Sequence, residues 1–388
     1  MLLYVHIPFC RSKCRYCAFF SRPLPESEQR GKRGAAEGPL ARYLAALREE
    51  LAQWGERLGG REVESVFFGG GTPSLLEPED MASLLERVRR TFALRLDAEI
   101  SMEANPDSLH DEGKARGFLD AGINRISLGV QSFDDGRLRT LGRVHRAEEA
   151  RAAFRAIRKA GCGNVSLDLM WGLPGQTPED WRAEVREALA LEPDHLSAYG
   201  LTLEEGTPLA EEVGKGLLDV PQEEAQCDMY LEGIRLFEEA GLSQYEISNF
   251  ARPGFRCRHN LGYWEGRDYL GLGPAAASTL NGERWTNPEG EAWFAQVRSG
   301  LPCTARETLD TPTRALELMM LRLRTVEGLA LGEYAHLTGR AFLDEHGAFV
   351  RRLCDGGLAE VKAGTFRLTR RGMLVSNSIL GELFEEEK

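Results

Sequence analysis

Three cysteines stand close together near the start of the chain, in Cys10-Arg-Ser-Lys-Cys14-Arg-Tyr-Cys17. Thiolates are soft donors that bind iron–sulfur clusters, zinc or copper(I). A structural zinc ion takes four protein ligands, and no fourth ligand is evident near these three. A cubane cluster held by three cysteines leaves one iron with an open coordination position. The spacing therefore favours an iron–sulfur cluster whose fourth iron binds an exchangeable ligand.

Further groups that could do chemistry follow apolar runs later in the chain. Gly69-Gly70-Gly71-Thr72 comes directly after one such run, and consecutive glycines allow a backbone to approach a ligand closely. Taken alone, a glycine run is as often an ordinary turn, and a lone polar residue at a strand end is more often a solvated one. Polar residues stand at or just beyond the ends of other runs: Glu103, Gln131, Arg143 and Asp168.

Six short apolar runs alternate with amphipathic segments and provide the elements that must position these groups. The runs cover residues 2–7, 63–68, 98–103, 125–130, 165–171 and 195–201. Nearly continuous hydrophobicity is typical of strands that are covered on both faces. Strand–helix alternation predicts an α/β fold with a parallel sheet. Six units favour an incomplete (β/α)6 barrel, with a doubly wound sheet as the alternative, and either fold places the chemistry at the carboxyl ends of the strands.

The rest of the chain predicts two further regions. We expect the barrel over residues 1–240, a Gly- and aromatic-rich extension that closes it over 241–309, and a winged-helix-like domain over 310–388. In the last region short helices precede a β-hairpin with Ala363-Gly364 at its tip. Residues 22–39 are rich in Gly, Pro, Glu and Arg without apolar periodicity, which predicts a loop.

These motifs together resemble the radical S-adenosylmethionine (SAM) superfamily and, within it, the oxygen-independent coproporphyrinogen III oxidase family. The resemblance covers nearly the whole chain and implies a radical SAM partial barrel. The matching segments are Tyr4-Val-His6-Ile-Pro-Phe-Cys10, Gly69-Gly70-Gly71-Thr72-Pro73, Glu103-Ala-Asn-Pro, Gly129-Val-Gln131-Ser-Phe and Asp168-Leu-Met-Trp-Gly-Leu-Pro-Gly-Gln-Thr177.

The resemblance also implies a set of cofactor ligands. Cys10, Cys14 and Cys17 would bind a [4Fe–4S] cluster, and its open iron would bind the amino and carboxylate groups of SAM. Carboxylates suit ribose hydroxyls, and a cation suits the carboxylate of the methionine part. By the same resemblance the nucleoside pocket is lined by Tyr4, Tyr16, Gly70, Gly71, Thr72, Glu103, Gln131, Arg143 and Asp168.

The family divides into oxidases and heme chaperones of the HemW type. The oxidases have a further cysteine two residues after the third, where this chain has Phe19, and an extension before the first strand, where only three residues precede Tyr4. His259-Asn260-Leu-Gly-Tyr263-Trp264 is similar to the signature of the chaperone branch. This resemblance suggests His259 as an axial heme ligand, with Cys257 as a second candidate. Without the family context, His259 is more simply a structural residue.

We therefore expect a heme chaperone that binds heme and transfers it to a still unidentified acceptor protein. The alternative is a coproporphyrinogen III oxidase that decarboxylates propionates through a deoxyadenosyl radical. A third possibility is a DNA-binding regulator, which the charge disfavours. The net charge is −12, and residues 310–388 hold 11 Lys and Arg against 12 Asp and Glu, so nucleic acid is not an expected partner.

Composition restricts the compartment as well. No run approaches the roughly 18 apolar residues that a membrane-spanning helix needs, and the apolar start lacks the basic leader of a signal peptide. Eight cysteines are too few for a disulfide scaffold in a chain of 388 residues. The sequence therefore predicts a cytoplasmic protein without a membrane span.

Overall fold

The computed structural model describes residues 1–25 and 38–385, so most of the loop predicted over 22–39 lies outside the described residues. The strands are β1 (Leu2–Ile7), β2 (Phe9–Cys10), β3 (Arg22–Pro23), β4 (Glu62–Gly70), β5 (Ala93–Ala104), β6 (Arg125–Gln131), β7 (Val165–Trp171), β8 (His195–Gly200), β9 (Ser243–Gln244), β10 (Asn249–Ala251), β11 (Tyr269–Leu272), β12 (Ala277–Leu280), β13 (Glu283–Thr286), β14 (Thr304–Thr308), β15 (Leu329–Ala330), β16 (Ala359–Lys362) and β17 (Thr365–Leu368).

Most of these strands are separated by helices. The helices are α1 (Pro39–Leu58), α2 (Pro78–Thr91), α3 (Glu112–Ala121), α4 (Asp135–Leu141), α5 (Ala147–Lys159), α6 (Pro178–Ala190), α7 (Pro208–Gly214), α8 (Glu223–Glu239), α9 (Arg258–Trp264), α10 (Gly290–Ser299), α11 (Thr311–Arg322), α12 (Leu331–Thr338), α13 (Phe342–Asp355), α14 (Arg370–Leu374) and α15 (Ser376–Glu385). None of the helices that the model describes is long and apolar enough to cross a membrane.

One large mixed sheet organises the molecule, in the strand order β14-β13-β12-β11-β1-β4-β5-β6-β7-β8-β10-β9. Its centre, from β1 through β8, consists of six parallel strands in that order, which confirms the incomplete six-unit barrel. Strand β11 adds a further parallel neighbour to β1. Residues 241–309 thus extend the sheet at both edges, and in the described chain the outermost strands β9 and β14 do not pair with each other.

The helices pack on this sheet through the apolar faces that their sequences predict. Helix α1 buries Leu44, Leu47, Leu51 and Trp54, spaced three and four residues apart. Strand β6 is buried from Arg125 to Val130, because neighbouring strands and helices cover both of its faces. The parallel strands therefore form a rigid support, and their carboxyl ends share one edge of the sheet.

The C-terminal region has the predicted winged-helix-like arrangement. Helices α11, α12 and α13 precede a three-stranded sheet in the order β15-β17-β16. The hairpin of β16 and β17 turns at Ala363 and Gly364, both with positive φ, as a two-residue turn requires. This region joins the extension through main-chain hydrogen bonds, one from the Ile247 N–H to the Arg324 carbonyl at 2.9 Å.

Candidate cofactor site

A cavity of about 660 Å³ lies at the carboxyl edge of the parallel sheet. It gathers nearly all of the site residues predicted from the sequence, whereas Tyr4, His259 and the second heme-ligand candidate Cys257, which is fully buried, lie elsewhere. The predicted residues that line this first cavity are Cys10, Cys14, Tyr16, Cys17, Gly70, Gly71, Thr72, Glu103, Gln131, Arg143 and Asp168. Because these residues come from different strand ends, the parallel sheet is what brings them together.

The three predicted ligand cysteines are free thiols on one wall of this first cavity. Cys10 ends β2, and the Cys17 N–H donates to the Cys14 carbonyl at 3.3 Å in the turn that follows. Burial raises the pKa of Cys10 and of Cys17. In the described residues no group of three His, Cys, Asp or Glu side chains is assembled as a metal site. The three cysteines therefore share the lining of one cavity.

The glycine run allows one segment of the chain to pack directly against another. A Cβ on Gly71 would lie 2.4 Å from the Phe9 carbonyl oxygen and 2.8 Å from that of Ile7. The Gly71 N–H donates to the Ile7 carbonyl at 2.8 Å, and the Thr72 N–H donates to that of Phe9 at 2.7 Å. The sequence suggested close approach to a ligand, whereas the closest neighbour here is the backbone that leads into Cys10. Glycine is therefore required to seat the cysteine loop.

Two carboxylates occupy the floor of the first cavity. Burial raises the pKa of Glu103 to about 7, and the charge of Asp168 acts in the same direction. The Glu103 carboxylate accepts a hydrogen bond from the Gly70 N–H at 3.1 Å. Burial also raises the pKa of Asp168, which accepts hydroxyl hydrogen bonds from Ser127 at 2.9 Å and Ser166 at 3.1 Å. Both groups are held in fixed positions where they can accept further hydroxyl donors.

Arg143 supplies the cation of the first cavity. Its Nη2 donates to the Asn105 side-chain oxygen at 2.8 Å and to the Gly129 carbonyl at 2.7 Å. Its Nη1 lies 3.5 Å from the Cys14 sulfur, and its Nε is buried without a hydrogen-bond partner. Gln131, at the end of β6, also lines the cavity, and its φ of +67° is an uncommon conformation for a residue with a side chain. Together, the lining residues of the first cavity provide thiols, a guanidinium and carboxylates.

A second cavity of about 680 Å³ adjoins the first, and Tyr4 and His259 lie in it. The Tyr4 hydroxyl is 3.1 Å from Nδ1 of His6, which also lines this second cavity. Residues that line both cavities are Phe19, Glu103, Ser127, Asp168 and Tyr199. Because both cavities share these lining residues, the two cavities are adjacent and separated by one wall.

His259 is fully buried, and both of its ring nitrogens are engaged. Nδ1 lies 2.8 Å from the Ser65 hydroxyl, and Nε2 lies 3.0 Å from the Tyr263 hydroxyl. The ring packs against Phe67 at a centroid distance of 5.1 Å. Burial lowers the pKa of His259 to about 3, so the ring is neutral. A neutral imidazole is the form that binds iron, but ligation requires one of these two hydrogen bonds to break.

Arg125, Ser127 and Tyr199 are among the lining residues that were not sequence candidates. Arg125 and Ser127 lie in β6, whose sequence predicts a strand buried along its whole length, and Tyr199 lies near the end of strand β8. Alternation along a strand that is buried on both faces gives no signal of which side chains point into the barrel. A polar or charged residue inside such a run was the available clue, and Arg125 is the clearest example.

Comparisons with known proteins agree with this architecture. Residues 4–188 match the model of the radical SAM superfamily, and residues 309–375 match that of the HemN C-terminal domain. In structure the chain is similar to the coproporphyrinogen III oxidase HemN from Escherichia coli, with a TM-score of 0.81 and 24% sequence identity. The match covers 98% of this chain and 89% of that one. This likeness establishes the shared fold.

The sequence relatives cover the chain from end to end. It is 33% identical over 386 residues to the "Heme chaperone HemW" of Bacillus subtilis, covering 99% of both chains. It is 37% identical over 402 residues to the protein of the same name from Escherichia coli, covering 99% of this chain and 98% of the relative. The chain belongs to the radical SAM superfamily and, within it, to the coproporphyrinogen III oxidase family in the branch of the HemW proteins.

Proposed function

We propose that this protein is a heme chaperone that carries a SAM-liganded [4Fe–4S] cluster, binds heme and passes it to an acceptor protein. The observation that carries the proposal is the pair of adjoining cavities, one lined by three thiols and the other by aromatic side chains. The names of the relatives from Bacillus subtilis and Escherichia coli support the assignment of heme as cargo.

The residues of the first cavity fit the cluster and its cofactor. Cys10, Cys14 and Cys17 would hold the cluster, which when bound supplies an open iron for SAM and an electron source. Arg143 has an unsatisfied buried N–H and lies beside Cys14, so it would bind the cofactor's carboxylate and offset thiolate charge. Glu103 would accept hydrogen bonds from ribose hydroxyls.

The aromatic lining of the second cavity supports heme binding. Burial of a flat apolar macrocycle against aromatic rings supplies binding free energy, and ring stacking adds to it. His259 stays the proposed axial ligand, and Nε2 would exchange the Tyr263 hydroxyl for iron. The aromatic residues that line the second cavity are Tyr4, Phe19, Phe20, Phe67, Tyr199, Tyr263 and Tyr269.

Phe19 favours the chaperone over the oxidase. The oxidases of the family have a cysteine at this position, whereas here an apolar ring, 69% exposed, lines both cavities. A phenyl ring offers an apolar surface to a macrocycle, and it has no group to take part in proton or electron transfer. We accordingly propose that the chain does not convert coproporphyrinogen III.

All eight cysteines of the chain are free thiols in the structure. A reducing compartment keeps such thiols unpaired, which supports the proposed cytoplasmic location. Reducing conditions would also preserve Cys10, Cys14 and Cys17 for the cluster.

An anaerobic heme titration tests the proposal. The cluster is reconstituted, iron and sulfide are quantified, and heme is then added while the Soret band is followed. We expect one heme per chain, bound in addition to the cluster. A protein that binds heme only in amounts that vary with detergent or excess ligand would contradict the proposed cargo. A parallel DNA retardation assay is expected to show no complex, because the charge of the chain is acidic.

A further inference from the structure

The second cavity contains a buried arginine at its wall. Arg125 is the first residue of β6, and only 1% of its surface is exposed. It lines the second cavity together with Ser127, Asp168 and His259. A guanidinium has five N–H donors and no acceptor, so its burial is unfavourable unless anions or polar oxygens satisfy it.

Arg125 has no such partner among the residues that the structure describes. Its Nε is buried without a hydrogen-bond acceptor. Across residues 1–25 and 38–385, no hydrogen bond, ion pair or aromatic stacking involves its guanidinium. Arg143, the cation of the first cavity, donates to Asn105 and Gly129 instead. The donors of Arg125 are therefore available to a molecule in the second cavity.

The acidic groups near Arg125 keep it charged but are used by other donors. Burial alone would lower the pKa of Arg125, but the surrounding Cys257, Glu99 and Asp168 raise it overall. The Glu99 carboxylate accepts the backbone N–H groups of Arg258 at 2.9 Å and of His259 at 3.1 Å. Asp168 accepts the hydroxyls of Ser127 and Ser166. The carboxylates of Glu99 and Asp168 are the groups that can compensate the charge of Arg125, and they leave its N–H groups unsatisfied.

The other arginines of the second cavity are already paired. Arg267 donates to Glu64 at 2.7 Å and also pairs with Glu265. Arg284 forms ion pairs with Glu317 and, at 3.5 Å, with Glu307. Of the arginines that line this cavity in the described residues, Arg125 alone lacks an ion pair, which distinguishes it as a site for an anionic group.

We propose that Arg125 is the carboxylate-binding residue of the second cavity and that the group it binds is a propionate of heme. This inference rests on the proposed function. A planar guanidinium binds a carboxylate through two parallel hydrogen bonds, and such a pair is strong where water is excluded. One propionate would then point into the barrel, while the apolar part of the macrocycle packs against the aromatic wall.

Comparison of heme with its dimethyl ester tests this inference, because the ester blocks both carboxylates and keeps the macrocycle. We expect the wild-type chain to bind heme about tenfold or more tightly than the ester. Arg125→Gln should bind the two ligands with nearly equal affinity. Arg284→Gln, a second arginine of the same cavity, should keep the wild-type ratio. Because the ratio is measured within each variant, a general loss of stability does not mimic the effect.

The outcomes separate this inference from the proposed function. If the wild-type chain binds neither ligand, the proposed function is contradicted. If it binds both equally, or if Arg125→Gln keeps the wild-type preference for heme, only the role of Arg125 is overturned. If Arg125→Gln fails to fold, Arg125→Lys takes its place in the comparison. This variant keeps the charge without the planar guanidinium, so it should show a smaller preference for heme over the ester than wild type. If the wild-type chain loses its preference for heme over the ester at saturating SAM, Arg125 binds the carboxylate of SAM, and the assignment of a heme propionate to Arg125 is overturned.

Discussion

At the scale of single residues, His259 is held by two hydrogen bonds of different kinds. Ser65 fixes Nδ1 from strand β4, while Tyr263 contacts Nε2 from the same helix as His259. A histidine whose first nitrogen is fixed presents the second one in a defined orientation. The Tyr263 hydroxyl therefore occupies the position that the iron would take if Nε2 were the proposed heme ligand.

Replacement of His259 tests its role as the heme ligand. His259→Ala should weaken heme binding about tenfold or more and shift the Soret band, while the iron–sulfur content stays unchanged. Tyr263→Phe is the matched control, since it removes the hydroxyl that competes for Nε2 and should bind heme at least as tightly as wild type. If His259→Ala binds heme with an unaltered spectrum and affinity, the ligand lies elsewhere and Cys257 becomes the next candidate.

The cysteine residues give a second prediction at this scale. Reconstituted wild-type protein should contain about four iron and four sulfide per chain, and joint replacement of Cys10, Cys14 and Cys17 by Ser should abolish both. Cys303→Ser is the control, because this partly buried thiol lies outside both cavities. Cluster loss in that control, with the three cysteines intact, would refute the ligand assignment.

At the scale of elements, the glycine loop after β4 and the cysteine loop after β1 are packed together. Gly71→Ala places a Cβ within 2.4 Å of the Phe9 carbonyl oxygen, so the backbone must separate there. We expect lower iron content after reconstitution and a weaker effect of SAM on the EPR spectrum of the reduced cluster. Gly163→Ala is the control, since nothing lies within 4 Å of its added Cβ. Equal iron content and equal SAM response in both variants would exclude this role for Gly71.

Helix α1 is tied to the connection after β11 by a buried acid. The Glu50 carboxylate accepts hydrogen bonds from the Gly273 N–H and the Asn287 side chain, both at 2.8 Å. Burial raises the pKa of Glu50 to about 8, from an ordinary value of 4.5. At pH values between 4.5 and about 8, the folded chain keeps a proton on Glu50 that the unfolded chain has released. The stability that this proton contributes is therefore lost as the pH rises from 4.5 to about 8. The loss is on the order of a few kcal/mol.

Thermal unfolding measured from about pH 5 to pH 8 tests this linkage. Glu50→Gln cannot titrate, so its stability should fall less steeply with rising pH than that of wild type. Glu49→Gln, on the exposed side of the same helix, should keep the wild-type slope. Identical slopes in wild type and Glu50→Gln would show that Glu50 is ionised in the folded chain at neutral pH.

The strands could be predicted because burial on both faces leaves a strong local pattern. The predicted bounds of β1 and β7 agree with the structure at both ends. The pairing of β11 with β1 could not be predicted, since it joins segments more than 260 residues apart without a local signal. The side chains predicted at strand ends lie together in the first cavity, because parallel strands share their carboxyl edge.

The second cavity was the part of the site that the sequence could not provide. Tyr4 lies within β1 rather than at its end, and Arg125 lies at the start of β6, opposite the edge where strand-end chemistry is expected. His259 comes from a helix beyond the parallel strands. The depth of each side chain in the barrel depends on tertiary packing, so motif and spacing did not separate the two cavities.

At the scale of the whole molecule, the proposed cluster region and the proposed heme region are neighbours across a wall that includes Phe19 and Tyr199. The same arrangement of cavities could serve a chaperone or an oxidase, and the difference lies in what the second cavity does with a tetrapyrrole. A chaperone binds it unchanged, whereas an oxidase alters its propionates. A chaperone and an oxidase therefore differ in the fate of the bound macrocycle.

The most direct measurement supplies both tetrapyrroles to one anaerobic, cluster-reconstituted sample with SAM and a reductant. Bound heme is quantified from the Soret band, and the porphyrinogens are separated and identified after oxidation to porphyrins. We expect one heme per chain and coproporphyrinogen III recovered unchanged. Sustained conversion of coproporphyrinogen III to protoporphyrinogen IX would contradict the proposed chaperone function and identify the chain as an oxidase.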